Sequence, residues 1–217
     1  MKARLTKIDP GEVLRYLGHR GTPDGALLAR VAGLSESLMA AARPRLVWRR
    51  LPLNAENDYL LAGEDLRALL RESEDIVLFA ATLGSEVELL LRRTQLRDMA
   101  DALILDACAD AAIENVCDNF CADLAKEVAP AFLTDRFSPG YGDLPLAHQR
   151  VLFDALNVTR RIGVTLTEGG LMLPQKSVTA ILGVAPDPQP RRDDRCAACS
   201  MYDTCNHRKE GKPCETQ

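Results

Sequence analysis

The sequence predicts an α+β fold, in which mixed helices surround a largely antiparallel sheet. Apolar residues recur at helical spacing through most of the first 130 residues. Short stretches rich in β-branched or aromatic residues interrupt this periodicity at 46–48, 76–81, 162–166 and 177–182. Helices and strands follow one another in mixed blocks without a regular βαβ alternation, which favours an antiparallel sheet.

Two helices are predicted in the first 44 residues. Asp9 can cap a short helix, Pro10 suits its first helical position, and Glu12 can reach back as in a capping box. A second start is predicted at Thr22-Pro23, and Pro44 ends the helix that follows. The apolar positions of this second helix are Leu27, Leu28, Val31, Leu34 and Leu38.

Three further helices are predicted in the middle of the chain. One lies around residues 66–70, between the first two predicted strands. Ser85 followed by Glu88 forms a second capping-box pattern, which opens a helix to about residue 97. A long helix then spans 99–128 and is closed by Pro130. Because this helix is apolar almost all round and rich in alanine and cysteine, we expect it to be a central element packed on several sides.

The rest of the chain predicts a loop, one more helix, two strands and a separate tail. The helix runs through Val151, Leu152 and Leu156. The organisation predicted is one domain over 1–184, a linker rich in proline and arginine over 185–195, and a cysteine-rich tail over 196–217. The tail is too polar to form its own apolar core, so we expect it to need a metal in order to fold.

Composition excludes several classes of protein. The net charge is -4 and there is no arginine- and lysine-rich stripe with interleaved aromatics, so we expect no nucleic-acid partner. The most apolar stretch, 76–84, is too short to span a bilayer, and no signal peptide is present, so we expect a cytoplasmic protein without a membrane partner. In that reducing compartment the seven cysteines are not expected to form disulfides, and clustered ones indicate a metal.

The loop over 136–145 has the composition of a ligand-binding turn. Arg136 offers a rigid fork that fits a carboxylate or a phosphate. Pro139-Gly140 predicts a sharp turn in which glycine lets a ligand approach the backbone, and Tyr141 supplies a flat ring and a hydroxyl. The alternative is a purely structural turn with Arg136 in a surface ion pair.

Three motifs resemble the activation domain of cobalamin-dependent methionine synthase. They are the R-x-S-P-G-Y loop that begins at Arg136, the G-V-x-L-T-E-x-x-x-M-x-P segment that begins at Gly163, and the S-V-T strand that begins at Ser177. Their order and spacing are similar to those of the family, and the resemblance is strongest over 103–182. It implies a domain of mixed helices and antiparallel sheet that binds S-adenosylmethionine (AdoMet) and remethylates inert Co(II) cobalamin after a one-electron reduction.

The resemblance also implies the ligand-binding residues. Arg136 would hold the methionyl carboxylate of AdoMet, and Ser138, Gly140 and Tyr141 would line the same ligand, largely through their backbone. Glu114 resembles the ligand-contacting glutamate of the family's long helix. Helical spacing places Glu114 among small apolar residues, where a carboxylate needs a cation or a donor. Either the ammonium group of AdoMet or an internal arginine meets this requirement. Asp110 and Asp118 flank Glu114 on the same side of the helix, so this side is not purely apolar.

Some features of the family are absent from this sequence. The aspartate near the start of the family's domain has no clear counterpart, and the tyrosine pair that follows the S-V-S-type strand is missing. A D-x-H-x-x-G cobalamin signature and folate or homocysteine domains are lacking too. We therefore expect a free-standing accessory subunit of a methionine synthase system, whose partner is a cobalamin-binding methionine synthase or a related corrinoid protein, with a separate electron donor. The cobalamin is carried by that partner.

Four cysteines close the chain in the pattern C-x2-C-x5-C-x8-C: Cys196, Cys199, Cys205 and Cys214. Four thiolates within nineteen residues indicate a metal site, either an iron–sulfur cluster or structural zinc, with His207 as a substitute ligand. An electron-consuming reaction favours iron–sulfur. Two alternative functions follow: an iron–sulfur electron-transfer activator without AdoMet binding, and a zinc-held adaptor module. Three other cysteines are expected to serve only in packing: Cys108, Cys117 and Cys121.

Overall fold

The computed structural model describes residues 1–188 and shows an antiparallel sheet among helices, so the predicted α+β class is confirmed. The helices are α1 (Pro10–Tyr16), α2 (Gly25–Ala41), α3 (Glu64–Leu69), α4 (Ser85–Gln95), α5 (Met99–Val128), α6 (Gln149–Leu156) and α7 (Val158–Ile162). The strands are β1 (Arg45–Pro52), β2 (Asp75–Thr82), β3 (Phe132–Leu133), β4 (Thr165–Leu166), β5 (Met172–Leu173) and β6 (Ser177–Ala185). Two 3-10 helices, Ala55–Leu60 and Leu146–His148, complete the elements. The predicted cysteine tail lies outside the described residues.

The main sheet has the strand order β1-β2-β6-β3, with antiparallel pairing throughout. Nearly every residue of β2 is buried, because the sheet is covered on both faces. Alternate residues of β2 therefore enter two different cores: Val77 and Phe79 face the first, and Ile76 and Leu78 face the second. Strands β4 and β5 form a separate hairpin.

The first core is built around α5, as its composition predicted. This helix packs against α1, α2, α4 and the sheet, and its alanines and cysteines let these neighbours approach closely. Phe120 contributes the bulky contact, with its ring centroid 4.9 Å from that of Phe79 and 6.0 Å from that of Trp48. The second core lies on the other face of the sheet, under α3, α6 and α7.

The helix starts agree only in part with the predicted caps. Asp9 caps α1 by accepting hydrogen bonds from Gly11 N and Glu12 N, as predicted. The side chain of Glu12 binds Arg15 instead of reaching back, so the first capping box is wrong. The predicted start at Thr22-Pro23 is also wrong, because Asp24 is the cap of α2 and accepts from Leu27 N.

The capping box predicted at Ser85 is wrong as well. Gly84 occupies the cap position of α4 with a positive φ of 93°, and it provides no side-chain hydrogen bond. Ser85 is thus already the first helical residue. The carboxylate of Glu88 accepts from Arg92 within the helix and from the backbone N–H of Gln175 outside it.

The strand predicted over 162–166 is confirmed only in its last two residues. Ile162 is the last residue of α7 and is buried in the second core. Gly163 follows with φ 74° and ends the helix in the left-handed conformation, which glycine adopts without strain. Only Thr165–Leu166 is extended.

The last strand extends slightly beyond its predicted end. β6 covers the predicted 177–182 and continues to Ala185, one residue into the segment predicted as linker. Among residues 1–188, none of the helices combines the length and the apolar character that a bilayer crossing requires.

Candidate functional site

A cleft of about 460 Å³ lies between the middle of α5, the loop that follows β3, and the start of β6. All five residues that the sequence singled out as ligand-binding line this cleft: Glu114, Arg136, Ser138, Gly140 and Tyr141. They come from a helix and a loop that are 22 or more residues apart, so only the fold brings them together. Their role in binding stays a prediction.

The loop is held to the sheet where it begins. Phe137 forms an antiparallel bridge with Ile181, with hydrogen bonds of 2.9 and 2.8 Å in the two directions. The turn that follows is closed by Tyr141 N, which donates to Ser138 O, and by Gly140 N, which donates to Leu144 O. Gly140 has φ 97°, a conformation that a side chain would strain. The loop is therefore a fixed turn, as its Pro-Gly pair predicted.

The far end of the loop is fixed to α3. The carboxylate of Asp143 accepts from the backbone N–H groups of Glu64 and Asp65, at 2.6 and 3.2 Å. These are the first two residues of α3, whose own cap residue, Gly63, has no side chain to bond them. Since both ends are held, the residues between Phe137 and Asp143 are presented to the cleft by rigid elements.

Arg136 and Glu114 form an ion pair inside the cleft. Arg136 Nη2 donates to Glu114 Oε2 at 2.7 Å and lies 3.1 Å from Asp118 Oδ1. The arginine side chain is only 19% exposed, so this is not the surface ion pair of the structural alternative. The internal arginine partner considered for Glu114 is present, and it is Arg136 itself.

One nitrogen of the same guanidinium is left over. Within residues 1–188, Arg136 Nη1 is buried and has no hydrogen-bond partner. A buried donor without a partner costs about 1–3 kcal/mol, and such groups are rare in folded proteins. Half of the arginine fork is therefore held by α5, while the other half is unpaired in a residue that lines the cleft.

Burial shifts the acidic groups of the cleft toward their neutral forms. Burial raises the pKa of Glu114, although the neighbouring Arg136 acts in the opposite direction. Burial also raises the pKa of Asp110, against the effect of Lys176. The pKa of Tyr16 and that of Tyr141 are raised by burial in the same way. A cation brought into the cleft would replace part of the water that these carboxylates have lost.

The cleft contains a second buried ion-pair group that sequence analysis did not find. Lys176 Nζ lies 2.7 Å from Asp110 Oδ1 and 2.9 Å from Asp106 Oδ1, and its side chain is largely buried. The only available signal was its position directly before the S-V-T motif. From α1, Arg15 and Tyr16 also line the cleft. Nothing in their local sequence indicates this, because the contact depends on how α1 packs against α5.

The opposite side of the cleft is uncharged. It includes Gln149 from α6, Met172 from β5 and Thr179 from β6. Gln149 and Thr179 are almost fully buried. Among the described residues, Thr179 Oγ1 has no hydrogen-bond partner. The S-V-T motif pointed to this strand, but its threonine was not predicted as a ligand-binding residue.

The three described cysteines have the surroundings of packing residues. Burial raises the pKa of the Cys117 thiol well above its usual range and raises that of Cys121 to about 11, so both are protonated at neutral pH. Cys108 is buried beside Ser35. In the part of the chain that the structure describes, no group of three His, Cys, Asp or Glu side chains could hold a metal ion. The cysteines predicted as metal ligands lie outside that part.

Comparison with known proteins finds a matching family and solved structures of similar fold. The family model described as "Vitamin B12 dependent methionine synthase, activation domain" matches residues 66–190. A crystal structure described as the MetH reactivation domain bound to AdoHcy superposes with a TM-score of 0.58 at 16% identity, over 92% of this chain and 80% of that one. At that identity the likeness shows the fold. No curated protein matches the chain.

Proposed function

The chain belongs to the family of vitamin B12-dependent methionine synthase activation domains, and on that premise we propose that its cleft binds AdoMet for the reductive remethylation of a partner's cobalamin. The observation that carries the proposal is the unpaired Nη1 of Arg136, in a cleft lined by all five residues predicted to contact the ligand. The solved structure of similar fold holds AdoHcy, the product that remains after AdoMet loses its methyl group.

The unpaired nitrogen suits the carboxylate of the ligand. Arg136 lines the cleft and is oriented by its ion pair with Glu114, so a carboxylate that binds its guanidinium meets a cation that is already held in place. The bond would be charge-assisted and would remove the penalty of the unpaired donor. Lys176 lines the same cleft, but its ammonium group already has two carboxylate partners. Arg136 is therefore the better residue for this role.

The acidic residues on α5 suit the cationic part of AdoMet. Ammonium and sulfonium groups both carry positive charge, and Glu114 and Asp110 lie one helical turn apart on the side of α5 that faces the cleft. Burial raises the pKa of each of these carboxyl groups, so each gains from a nearby cation. A neutral ligand of the same shape would gain less.

The size of the cleft fits a ligand of this class. Small-molecule sites usually measure about 300–1,000 Å³, and this cleft of about 460 Å³ falls within that range. Tyr141 is partly exposed at the cleft and offers a ring face to the ligand.

The chain would act together with a cobalamin-binding partner. The cobalamin, held by a methionine synthase or a related corrinoid protein, supplies the cobalt that accepts the methyl group once a donor has provided one electron. This chain would bind AdoMet, exclude water from its reacting end and orient it toward the partner. The reaction leaves AdoHcy in the cleft.

For the cysteine tail the proposal rests on sequence alone. Cys196, Cys199, Cys205 and Cys214 would hold one metal centre, which we propose to be an iron–sulfur cluster, with zinc as the alternative. The described domain carries AdoMet binding and the tail would serve electron transfer or docking. The two functions can therefore be tested separately.

The proposed function is tested with AdoMet labelled in its methyl group. The full chain is incubated anaerobically with a reductant and a cobalamin-binding methionine synthase module in the Co(II) state. Label should appear on the cobalamin only when this chain is present, and unlabelled AdoHcy should accumulate in equal amount. If reduction of the cobalamin depends on this chain but no label is gained, the result would instead support the electron-transfer activator and would contradict the proposal.

A further inference from the structure

We propose that Thr179, together with Gln149, recognises the nucleoside end of the ligand. This inference rests on the proposed function and adds to it a residue that determines which ligands bind. It divides the cleft into a charged side that holds the amino-acid end and a neutral side that holds the nucleoside. Two features support this division: the distribution of the charged side chains and one buried hydroxyl group.

Four of the five charged residues of the cleft belong to α5 or form an ion pair with it. Glu114 and Asp110 belong to this helix, and each is paired with one cation, Arg136 or Lys176. Arg15 comes from α1, which packs on α5. An amino-acid group, with one carboxylate and one ammonium, is complementary to this side.

Thr179 faces the side of the sheet that is opposite to α5. Its neighbours Val178 and Ala180 belong to the first core, around α5, so the alternation of a strand turns Thr179 the other way. Its partner on β2 is Ala80, which belongs to the second core, as does Ile181 on the same strand. The cleft therefore spans the sheet, with α5 on one side and α6 on the other.

The Thr179 hydroxyl differs from those of the other buried threonines that the structure describes. Thr82 Oγ1 accepts hydrogen bonds from Gly84 N and Ser177 Oγ. Thr134 Oγ1 accepts from Gly183 N and donates to Asp135 O. Thr179 is 2% exposed, and its hydroxyl has no partner within residues 1–188. Of these three threonines, only Thr179 lines the cleft. A hydroxyl buried without a partner is costly, and a bound ligand would supply the partner.

The chemistry of this side matches a nucleoside. A hydroxyl can both donate and accept, and a carboxamide offers two donors and an acceptor. Adenine presents a donor and an acceptor side by side, which a glutamine side chain can bond together. Gln149 is 4% exposed and lines the cleft. Because a nucleoside is uncharged, it needs no charged partner on this neutral side.

The test uses three ligands and the Thr179→Val variant, which removes the hydroxyl and keeps the shape. The ligands are AdoMet, 5'-methylthioadenosine, which lacks the amino acid, and S-methylmethionine, which lacks the nucleoside. The variant should bind AdoMet and 5'-methylthioadenosine about tenfold more weakly, as expected for the loss of one buried hydrogen bond. Its affinity for S-methylmethionine should not change. Thr179→Ser keeps the hydroxyl and should retain AdoMet binding.

Thermal stability without ligand provides a second readout. Because the Thr179 hydroxyl has no partner among the residues that the structure describes, Thr179→Val should not lower the melting temperature of the ligand-free chain. Thr82→Val is the matched control: it removes a buried hydroxyl that accepts two hydrogen bonds, so it should lower the melting temperature.

The outcomes separate this inference from the proposed function. If the wild type binds AdoMet and Thr179→Val binds it equally well, the inference is wrong and the proposed function stands. An equal loss of affinity for S-methylmethionine would also overturn the inference, because the hydroxyl would then serve the amino-acid end. If the wild type binds none of the three ligands, both proposals fail.

Discussion

Arg136 is held by Glu114 through Nη2 of its guanidinium, at 2.7 Å, while Nη1 is buried with no hydrogen-bond partner among residues 1–188. The ion pair joins the loop after β3 to the central helix and fixes the arginine before any ligand is present. A site whose charged groups are already oriented loses less conformational entropy on binding. Glu114 thus has two roles in the account, since it positions Arg136 and faces the cationic end of AdoMet.

Glu114→Gln should weaken AdoMet binding and remove part of its pH dependence. Burial raises the pKa of Glu114 in the folded chain. At a pH just above the usual pKa of a glutamate, this carboxyl is therefore still partly neutral. A cationic ligand favours the ionised form, and wild-type affinity should therefore rise as the pH is raised from about 4.5 toward 7. The α-amino group of AdoMet stays charged in this range, since such groups titrate at about 7.7–8.

Calorimetric titration at several pH values checks this expectation. The glutamine cannot ionise, so the rise in affinity with pH should be smaller in the variant. Asp58→Asn alters a fully exposed ion pair and is the control that should follow the wild type. The same pH profile in wild type and Glu114→Gln would show that Glu114 does not contact the charged end of the ligand.

Lys176→Met should destabilise the chain more at neutral pH than at acid pH. Lys176 pairs with Asp110 and Asp106, and burial raises the pKa of Asp110 even with this partner in place. Without the lysine, the pKa of Asp110 in the folded chain rises further. The extra loss of stability therefore grows as the pH rises from the wild-type folded pKa of Asp110 to this higher value, and it is absent below the unfolded value. We expect a loss of about 1–2 kcal/mol at pH 7, reduced by solvent screening because Asp110 is partly exposed.

Urea denaturation at pH 7 and at pH 4.5 measures this difference. Lys126→Met removes an exposed lysine whose ion pair with Asp123 is 3.8 Å long, and it should have little effect at either pH. A loss for Lys176→Met that is the same at both pH values would mean that the lysine stabilises by packing and not through Asp110.

The cysteine tail should carry an oxygen-sensitive centre that AdoMet binding does not need. Protein purified anaerobically should contain about four irons and four sulfides per chain if the cluster is cubane. Cys199→Ser should lose the metal and slow cobalamin rescue, while AdoMet affinity stays at the wild-type value. Metal analysis measures the metal content, and calorimetry measures the AdoMet affinity. One zinc per chain and no iron would remove the electron-transfer role and leave a docking function.

The elements that sequence predicted well are those whose pattern is local and long. The composition of α5 specifies a helix packed on several sides, and the apolar run of β2 specifies a strand covered on both faces. Element ends were less predictable, because several residues compete for each cap. Asp24 caps α2 in place of Thr22, and Gly84 precedes α4 where Ser85 was expected.

The part of the cleft formed by Glu114 and the loop after β3 was predictable, and the part formed at the start of β6 was not. Motif resemblance pointed to Arg136 and Glu114, and the cost of burying a carboxylate predicted that Glu114 needs a cation or a donor. That the arginine partner of Glu114 is Arg136 depends on the path of the loop over α5. Lys176 and Thr179 join the site only because β6 lies beside that loop, at a separation of about 40 residues. No local pattern encodes such a contact.

The central claim is that Arg136 binds the carboxylate of AdoMet in this cleft, and calorimetric titration of the full chain with AdoMet tests it most directly. Three proteins are compared: wild type, Arg136→Ala, and Arg67→Ala, which removes an arginine from an exposed ion pair with Asp58. Melting curves confirm that each is folded. The account predicts saturable one-site binding to the wild type and to Arg67→Ala, and binding to Arg136→Ala that is weaker by about 1.5–3 kcal/mol. A folded wild type that does not bind AdoMet, or a folded Arg136→Ala that binds it as tightly as the wild type, would contradict the claim.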